Sequence, residues 1–144
     1  MNQPSKILIL DDDVDLTGLI KIRLEGEGYE VSVLHAPKDC LKEIYIFRPD
    51  LILLDVDLPG KNGLVVFLEI KEILSSKAND AGKILFPVMI LSGVKSVAVQ
   101  ALFKAKGVFD YLCKPVDSQI LLEKIVEALN YFSACEGFGI RYAR

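Results

Sequence analysis

The sequence predicts an α/β fold, a doubly wound parallel sheet of five strands with five helices, and three observations predict it. Short apolar runs alternate with amphipathic stretches about five times along the 144 residues. The run "LILL" at residues 51–54 is typical of a strand buried on both faces. Strands that alternate with helices form parallel sheets covered by helices on both faces.

Each strand is predicted from an apolar run and each helix from its periodicity and end signals. The predicted strands are residues 7–10, 29–34, 51–54, 88–91 and 108–113. The first helix carries Leu16, Leu19, Ile20 and Leu24 and ends at the glycines of "EGEGYE", and the second begins at Pro37. The third begins near Gly63, and the fourth and fifth span residues 95–106 and 118–132. A long polar connection, "SSKANDAGK", occupies residues 75–83.

Composition indicates one globular domain. The net charge of −3 gives no basic footprint for direct nucleic-acid binding, and no apolar run approaches the roughly 20 residues that span a membrane. The cysteines, Cys40, Cys113 and Cys135, have neither disulfide nor zinc spacing and are interpreted as buried thiols of a reduced compartment. We therefore predict a cytoplasmic domain over residues 1–133 and a C-terminal tail over 134–144, with no output domain.

Polar side chains follow four of the five predicted strands. Asp11 and Asp12 follow the first strand, Asp55 the third, Ser92 the fourth and Lys114 the fifth. Ligands of open parallel sheets bind beyond the carboxyl ends of the strands, so we expect these residues to share one cleft.

The charges of that cleft predict its chemistry. Two like charges 4 Å apart repel by about 4 kcal/mol at a typical effective dielectric, and Lys114 alone cannot neutralise three carboxylates. Oxygen ligands with room for water favour Mg²⁺. A carboxylate beside Mg²⁺ and an ammonium group can attack phosphorus and form an aspartyl phosphate, which Lys114 and the Ser92 hydroxyl would stabilise.

Structural alternatives remain at several of these positions. The acids at residues 11–13 could cap a helix, a role we assign to Asp13 only. Ser92 could cap the fourth helix, Tyr111 could be a core aromatic, and His35 is interpreted as a surface residue.

Four segments together resemble the receiver domain of two-component response regulators. They are "ILILDDD", "PDLILLDVDLPGKNG", "VMILSG" and "DYLCKP", in that order, and the resemblance covers roughly residues 5–130. It implies the flavodoxin-like strand order 2-1-3-4-5. It also implies that Asp55 is the phosphate acceptor and that Mg²⁺ is bound by Asp12 directly, by Asp11 through water and by the backbone carbonyl of Asp57.

The resemblance implies further roles around the acceptor. Ser92 and Lys114 would contact the phosphoryl group, Tyr111 would be the aromatic switch residue, and the Lys114–Pro115 peptide would be cis. The phosphoryl donor would be a histidine kinase or a phosphotransfer protein. The domain would catalyse its own phosphoryl transfer and slow dephosphorylation rather than act as an enzyme.

The fourth helix carries a separate prediction. At 100° per residue its core-facing residues would be Val94, Val97, Ala98, Ala101, Leu102 and Ala105. Val99 and Phe103 would then face solvent. We predict an interface there, with an output partner or in a homodimer, on the face formed by helix 4, strand 5 and helix 5.

Two other functions compete with the phosphorylated switch. "DVDLP" partly fits the nucleophile motif of haloacid-dehalogenase-like phosphatases, but Pro59 stands where Thr or Val is expected and the motif is not on the first strand. A receiver-like scaffold that is never phosphorylated is the other alternative, which the complete set of acids, hydroxyl and lysine opposes.

Overall fold

The computed structural model describes residues 3–76 and 86–136, with side chains at 3–72 and 86–133. Its strands are β1 (Lys6–Leu10), β2 (Glu30–Leu34), β3 (Leu51–Leu54), β4 (Asp57–Leu58), β5 (Lys61–Asn62), β6 (Val88–Ser92) and β7 (Asp110–Cys113). Its helices are α1 (Val14–Gly26), α2 (Cys40–Phe47, after a 3-10 turn at Pro37–Asp39), α3 (Gly63–Ser76), α4 (Val97–Lys106) and α5 (Ser118–Glu136). Most of the predicted polar connection at 75–83 and most of the tail, from residue 137, lie outside the described residues.

The five long strands form one parallel sheet in the order β2-β1-β3-β6-β7. Counting only these strands along the chain, the order is the predicted 2-1-3-4-5, so the predicted fold class is confirmed. The short strands β4 and β5 form a separate antiparallel hairpin directly after β3. Its turn contains Pro59 and Gly60, and Gly60 has φ 77°, a conformation that favours glycine.

The sheet separates two hydrophobic cores. On one face α1 and α5 pack against the sheet through Ile20, Leu24 and Ile125. On the other face α2, α3 and α4 contribute Ile44, Phe67 and Phe103. Burial on both faces explains why β3 is an unbroken apolar run.

The predicted orientation of α4 is wrong. Phe103 is 1% exposed, whereas Val97 is 81% and Leu102 42% exposed. The phenyl ring of Phe103 lies 5.8 Å from the ring of Tyr111, and Val99 packs at the margin of the same core. The Phe103 ring fills space in the core beside Tyr111, so packing against other elements, and not the apolar stripe of α4 itself, decides which side of this helix faces the sheet. Val99 and Phe103 therefore do not form the solvent-facing interface that the periodicity predicted.

Other expectations have mixed outcomes. The Lys114–Pro115 peptide is cis, as predicted. Of the cysteines predicted to be buried, Cys40 is buried and Cys113 is only partly buried. Helix α5 continues four residues beyond its predicted end at 132. Among the described residues, none of the helices has the length and apolar character that crossing a membrane requires.

Candidate functional site

Two buried aspartates lie side by side where β1 and β3 end. In the parallel register Leu10 is paired with Leu54, and the Asp55 N–H donates a hydrogen bond to the Leu10 carbonyl at 2.9 Å. Asp11 and Asp55, the next residue of each strand, are 3% and 5% exposed. The sheet register thus brings two carboxylates together from positions 44 residues apart in the chain.

Lys114 supplies the neighbouring positive charge. Its Nζ lies 2.7 Å from Asp11 Oδ2 and 3.6 Å from Asp55 Oδ2. Its backbone N–H donates to the Ser92 carbonyl at 2.8 Å, which holds the chain at the end of β7 against β6. The ammonium group therefore lies between the two aspartates, as expected for a residue at the same edge of the sheet.

The electrostatics of the pocket leave excess negative charge. Burial, and then the charge of Asp11, raise the pKa of Asp55, while Lys114 and the backbone N–H groups of Asp57 and Val56 lower it. Burial by itself would lower the pKa of Lys114, but its hydrogen bond to Asp11 and the surrounding carboxylates raise it above its ordinary value. One ammonium group does not balance the carboxylates, so the pocket favours a further cation.

Three carboxylates are close enough to share such a cation. Asp11, Asp12 and Asp55 each offer an oxygen, and these oxygens lie within 4.8 Å of one another. Mg²⁺ binds oxygens at about 2.0–2.1 Å, so opposite ligands are about 4 Å apart and the cluster fits with small adjustments. Asp12 is exposed, which leaves room for water ligands, and Asp57 is exposed on β4, two residues after Asp55.

Asp13 takes the structural role that the sequence assigned to it. Its carboxylate accepts a hydrogen bond from the Leu16 N–H at 3.0 Å and caps α1. The Asp13 N–H in turn donates to Asp11 Oδ1 at 3.0 Å, so the cap also fixes the Asp11 side chain.

Ser92 and Tyr111 are joined through the loop between β6 and α4. Ser92 is fully buried, and its Oγ accepts a hydrogen bond from the Val94 N–H at 3.1 Å. The Tyr111 hydroxyl donates to the Val94 carbonyl at 2.7 Å. Burial raises the pKa of Tyr111, and a hydrogen bond with the Ser92 side chain opposes this. The cap of α4 is Ser96, so the alternative role for Ser92 as the cap of this helix is not observed.

Sequence reasoning missed two residues of the site. A Cβ on Gly63 would lie 2.7 Å from the Val56 Cα and would also collide with the Asp55 backbone, so only glycine fits. The sequence interpretation placed Gly63 only at the beginning of the third helix and gave it no steric role. His35 is exposed, as predicted, but its Nδ1 also lies 3.0 Å from the Asp11 carbonyl, a contact that no local motif indicates.

Comparison with known proteins identifies the class of protein. The sequence matches the response regulator receiver domain family over residues 7–126, and the chain belongs to this family. Receiver domains are signalling domains of two-component systems and not enzymes in the usual sense, which disfavours the phosphatase alternative.

Individual relatives agree with this assignment. The chain is 30% identical over 129 residues to the transcriptional regulatory protein GlrR of Escherichia coli, covering 90% of this chain but 27% of the relative. It thus spans about a quarter of that protein. A receiver domain from Clostridium thermocellum is similar in structure, with a TM-score of 0.78, 28% identity and coverage of 91% and 98% of the two chains. A CheY-like receiver domain protein from Methanospirillum hungatei has a TM-score of 0.77 and 27% identity, and the match covers 91% of this chain and 98% of the other.

Proposed function

We propose that this receiver domain accepts a phosphoryl group on Asp55 and acts as a two-state switch. One observation carries the proposal: the buried Asp55 carboxylate lies 3.6 Å from the Lys114 ammonium group, within a cluster of three carboxylates. The donor is a histidine kinase or a phosphotransfer protein in the cytoplasm. The signal passes to an output partner, or to a second copy of the chain, which binds the face formed by α4, β7 and α5.

The chain's own residues account for most of the transfer chemistry. An Asp55 oxygen attacks phosphorus, a P–O bond forms, and the bond from phosphorus to the donor breaks. Lys114 faces the acceptor and offsets charge on the phosphoryl oxygens, as preorganised cations do in phosphoryl transfer. Bound by Asp11, Asp12, Asp55 and the Asp57 carbonyl, Mg²⁺ would supply further positive charge to the same oxygens. Slow self-catalysed dephosphorylation belongs to the same proposal.

The hydrogen bonds around Ser92 suggest how phosphorylation is transmitted. The Ser92 hydroxyl contacts the Val94 N–H and Tyr111, and a phosphoryl group on Asp55 would compete for it. A shift of the Ser92 hydroxyl would move Val94, whose carbonyl accepts the hydrogen bond from the Tyr111 hydroxyl. Moving an equilibrium from 1:99 to 99:1 requires about 5.5 kcal/mol, and hydrogen bonds to charged groups contribute about 1.5–3 kcal/mol each. About two to four new bonds of this kind are therefore sufficient.

Intact-protein mass spectrometry after incubation with acetyl phosphate tests the proposal. We expect one phosphoryl adduct that requires Mg²⁺, is absent in Asp55→Asn and persists in Asp57→Asn, the matched control for an exposed neighbouring acid. An adduct that forms on Asp55→Asn would refute the assignment. If a histidine kinase that phosphorylates other receivers also leaves the wild type unmodified, the scaffold alternative replaces the switch.

A further inference from the structure

The β4–β5 hairpin carries one of the groups that the proposed function needs. Asp57 lies on β4, and its backbone N–H forms a hydrogen bond with the Asp55 carboxylate. The Asp57 carbonyl is one of the proposed Mg²⁺ ligands. Because Mg²⁺ requires nearly ideal octahedral geometry at about 2.0–2.1 Å, a displacement of this hairpin would weaken metal binding.

Two residues of the hairpin are in a position to fix it to the rest of the domain. Within residues 57–62 only Leu58 and Lys61 are partly buried, and the other four are exposed. Leu58 and Lys61 face each other in the antiparallel register. Leu58 packs at the margin of the core to which α2, α3 and α4 contribute. The second attachment of the hairpin is therefore at Lys61.

An ion pair attaches Lys61 to α3. The Lys61 Nζ donates hydrogen bonds to both carboxylate oxygens of Glu69, at 2.9 Å to Oε1 and 3.2 Å to Oε2. Close to Glu69 in the same helix, Phe67 and Ile70 are 2% and 0% exposed. Core packing therefore sets the position of this part of α3, and the ion pair transfers that constraint to the hairpin.

The ion pair is partly shielded from water. Both side chains are 39% exposed, and they border a small cavity of about 50 Å³ that Cys40 and Leu41 of α2 also line. Burial, and then the charge of Glu69, raise the pKa of the Cys40 thiol to about 12, while Lys61 lowers it. The pair thus lies beside a buried side chain, and it is less solvated than an ordinary surface ion pair.

We infer that Lys61 and Glu69 are positioning residues for the metal site. Their ion pair ties the β4–β5 hairpin to α3 and thereby holds the Asp57 carbonyl where Mg²⁺ can bind it. Lys61 acts through Leu58, its partner in the hairpin and the neighbour of Asp57. The inference deepens the proposed function, on which its link to phosphoryl transfer rests.

An effect of charge alone would have a different signature. If the two residues acted on the metal only through their charges, loss of the Lys61 ammonium group would strengthen Mg²⁺ binding and loss of the Glu69 carboxylate would weaken it. Positioning predicts weaker binding in both cases, because either loss breaks the same ion pair. Loss of both side-chain charges together leaves the net charge unchanged, so the double variant isolates the positioning effect.

Isothermal titration calorimetry of Mg²⁺ with the full chain tests the inference in Lys61→Met and Glu69→Met. Methionine keeps the length of each side chain and is a good helix former at position 69. We expect each variant, and the double variant, to bind Mg²⁺ about two- to fivefold more weakly than the wild type. Tighter or unchanged binding in Lys61→Met would overturn the inference, as would losses that add up in the double variant. Lys61→Arg, which can form the same pair, should stay within about twofold of the wild type.

A second measurement without metal separates positioning from a general effect on stability. In EDTA, the Asp57 amide of Lys61→Met should exchange with solvent about two- to fivefold faster than in the wild type, measured by NMR. Arg23→Met is the matched control, because it also removes a partly exposed lysine-like charge from an ion pair, with Glu27 at 3.9 Å on α1. It should change neither the exchange at Asp57 nor the Mg²⁺ affinity. Equal effects of Arg23→Met and Lys61→Met contradict the inference.

Acetyl phosphate labelling of the same preparations separates this inference from the proposed function. Equal Mg²⁺ affinities in all variants, together with labelling of the wild type, overturn the positioning role and leave the switch intact. A wild type that neither binds Mg²⁺ nor is labelled by acetyl phosphate or a kinase overturns the proposed function, and the inference with it.

Discussion

At the residue scale, the surroundings of Asp55 disfavour the ionised form of its carboxyl group. Its side chain is 7% exposed and lies beside Asp11, and both burial and the neighbouring charge raise its pKa. Only the ionised carboxylate is a nucleophile toward phosphorus. In the proposed switch, the site would give up folding stability to keep this group reactive, and perturbed pKa values are frequent at functional positions.

This conflict predicts that Asp55→Asn stabilises the fold. The pKa of Asp55 is raised in the folded state, so the folded protein binds the proton more tightly than the unfolded protein, and stability falls as pH rises through that pKa. In EDTA at pH 7.5 we expect the variant to unfold with a free energy about 1 kcal/mol higher than the wild type. The difference should shrink as pH falls toward 4, measured by urea denaturation at several pH values. A variant less stable at every pH contradicts the electrostatic account.

Gly63 offers a second prediction at this scale. The close approach of its backbone to Val56 makes Gly63→Ala an overpacking change, with an expected loss of about 1–3 kcal/mol in the free energy of unfolding. Gly18→Ala is the matched control, because a Cβ there meets nothing within 4 Å in the middle of α1. It should raise stability by up to about 1 kcal/mol through helix propensity. Equal effects in chemical denaturation would refute the steric argument.

At the element scale, α4 shows how packing overrides periodicity. Its most regular apolar stripe faces solvent, and a single phenylalanine with Val99 fixes the helix to the sheet. The helix ends at Gly107, which has φ 108°, and Lys71 of α3 donates a hydrogen bond to the Lys106 carbonyl at 2.5 Å. The orientation of α4 thus rests on a few contacts at its ends and one buried ring.

This orientation predicts that alanine substitutions at two adjacent residues of α4 change the free energy of unfolding by very different amounts. Phe103→Ala should lower the free energy of unfolding by about 3 kcal/mol or more, because it leaves a cavity beside Tyr111. Leu102→Ala, at a residue that is 42% exposed, should change it by no more than about 0.5 kcal/mol. Thermal or urea unfolding of the two variants measures this directly. The reverse order would mean that the periodicity had indicated the buried side of the helix correctly.

At the scale of the whole molecule, the acidic pocket joins β1, β3 and β7 and should link cation binding to global stability. A ligand that binds only the folded state adds RT ln(1 + [L]/Kd), about 1 kcal/mol when its concentration is five times Kd. We expect Mg²⁺ to raise the unfolding temperature of the wild type and not that of Asp12→Asn. Asp13→Asn is the control, since asparagine also caps helices and this residue caps α1. Equal Mg²⁺ responses in the two variants would remove Asp12 from the ligand set.

The sequence by itself determined the five strands of the main sheet and the residues that follow them, whereas the order of the strands came from the resemblance to receiver domains. Unbroken apolar runs are typical of strands buried on both faces of a parallel sheet, and the carboxyl ends of parallel strands meet at one edge. The expectation that Asp11, Asp55 and Lys114 lie together needed nothing more than this. Helix ends were predicted less accurately, and α5 continues to Glu136, four residues past its predicted end.

Only the tertiary structure decided which side of α4 is buried, how closely Gly63 approaches Asp55, and that Val94 links Ser92 to Tyr111. Each depends on contacts between segments far apart in sequence, where the volume to be filled and the available hydrogen-bond partners are set by other elements. Periodicity identifies the two sides of a helix, but it cannot say which side the sheet will cover. For α4 the sheet covers the side that carries Phe103 and Val99, and the opposite apolar side is left toward solvent.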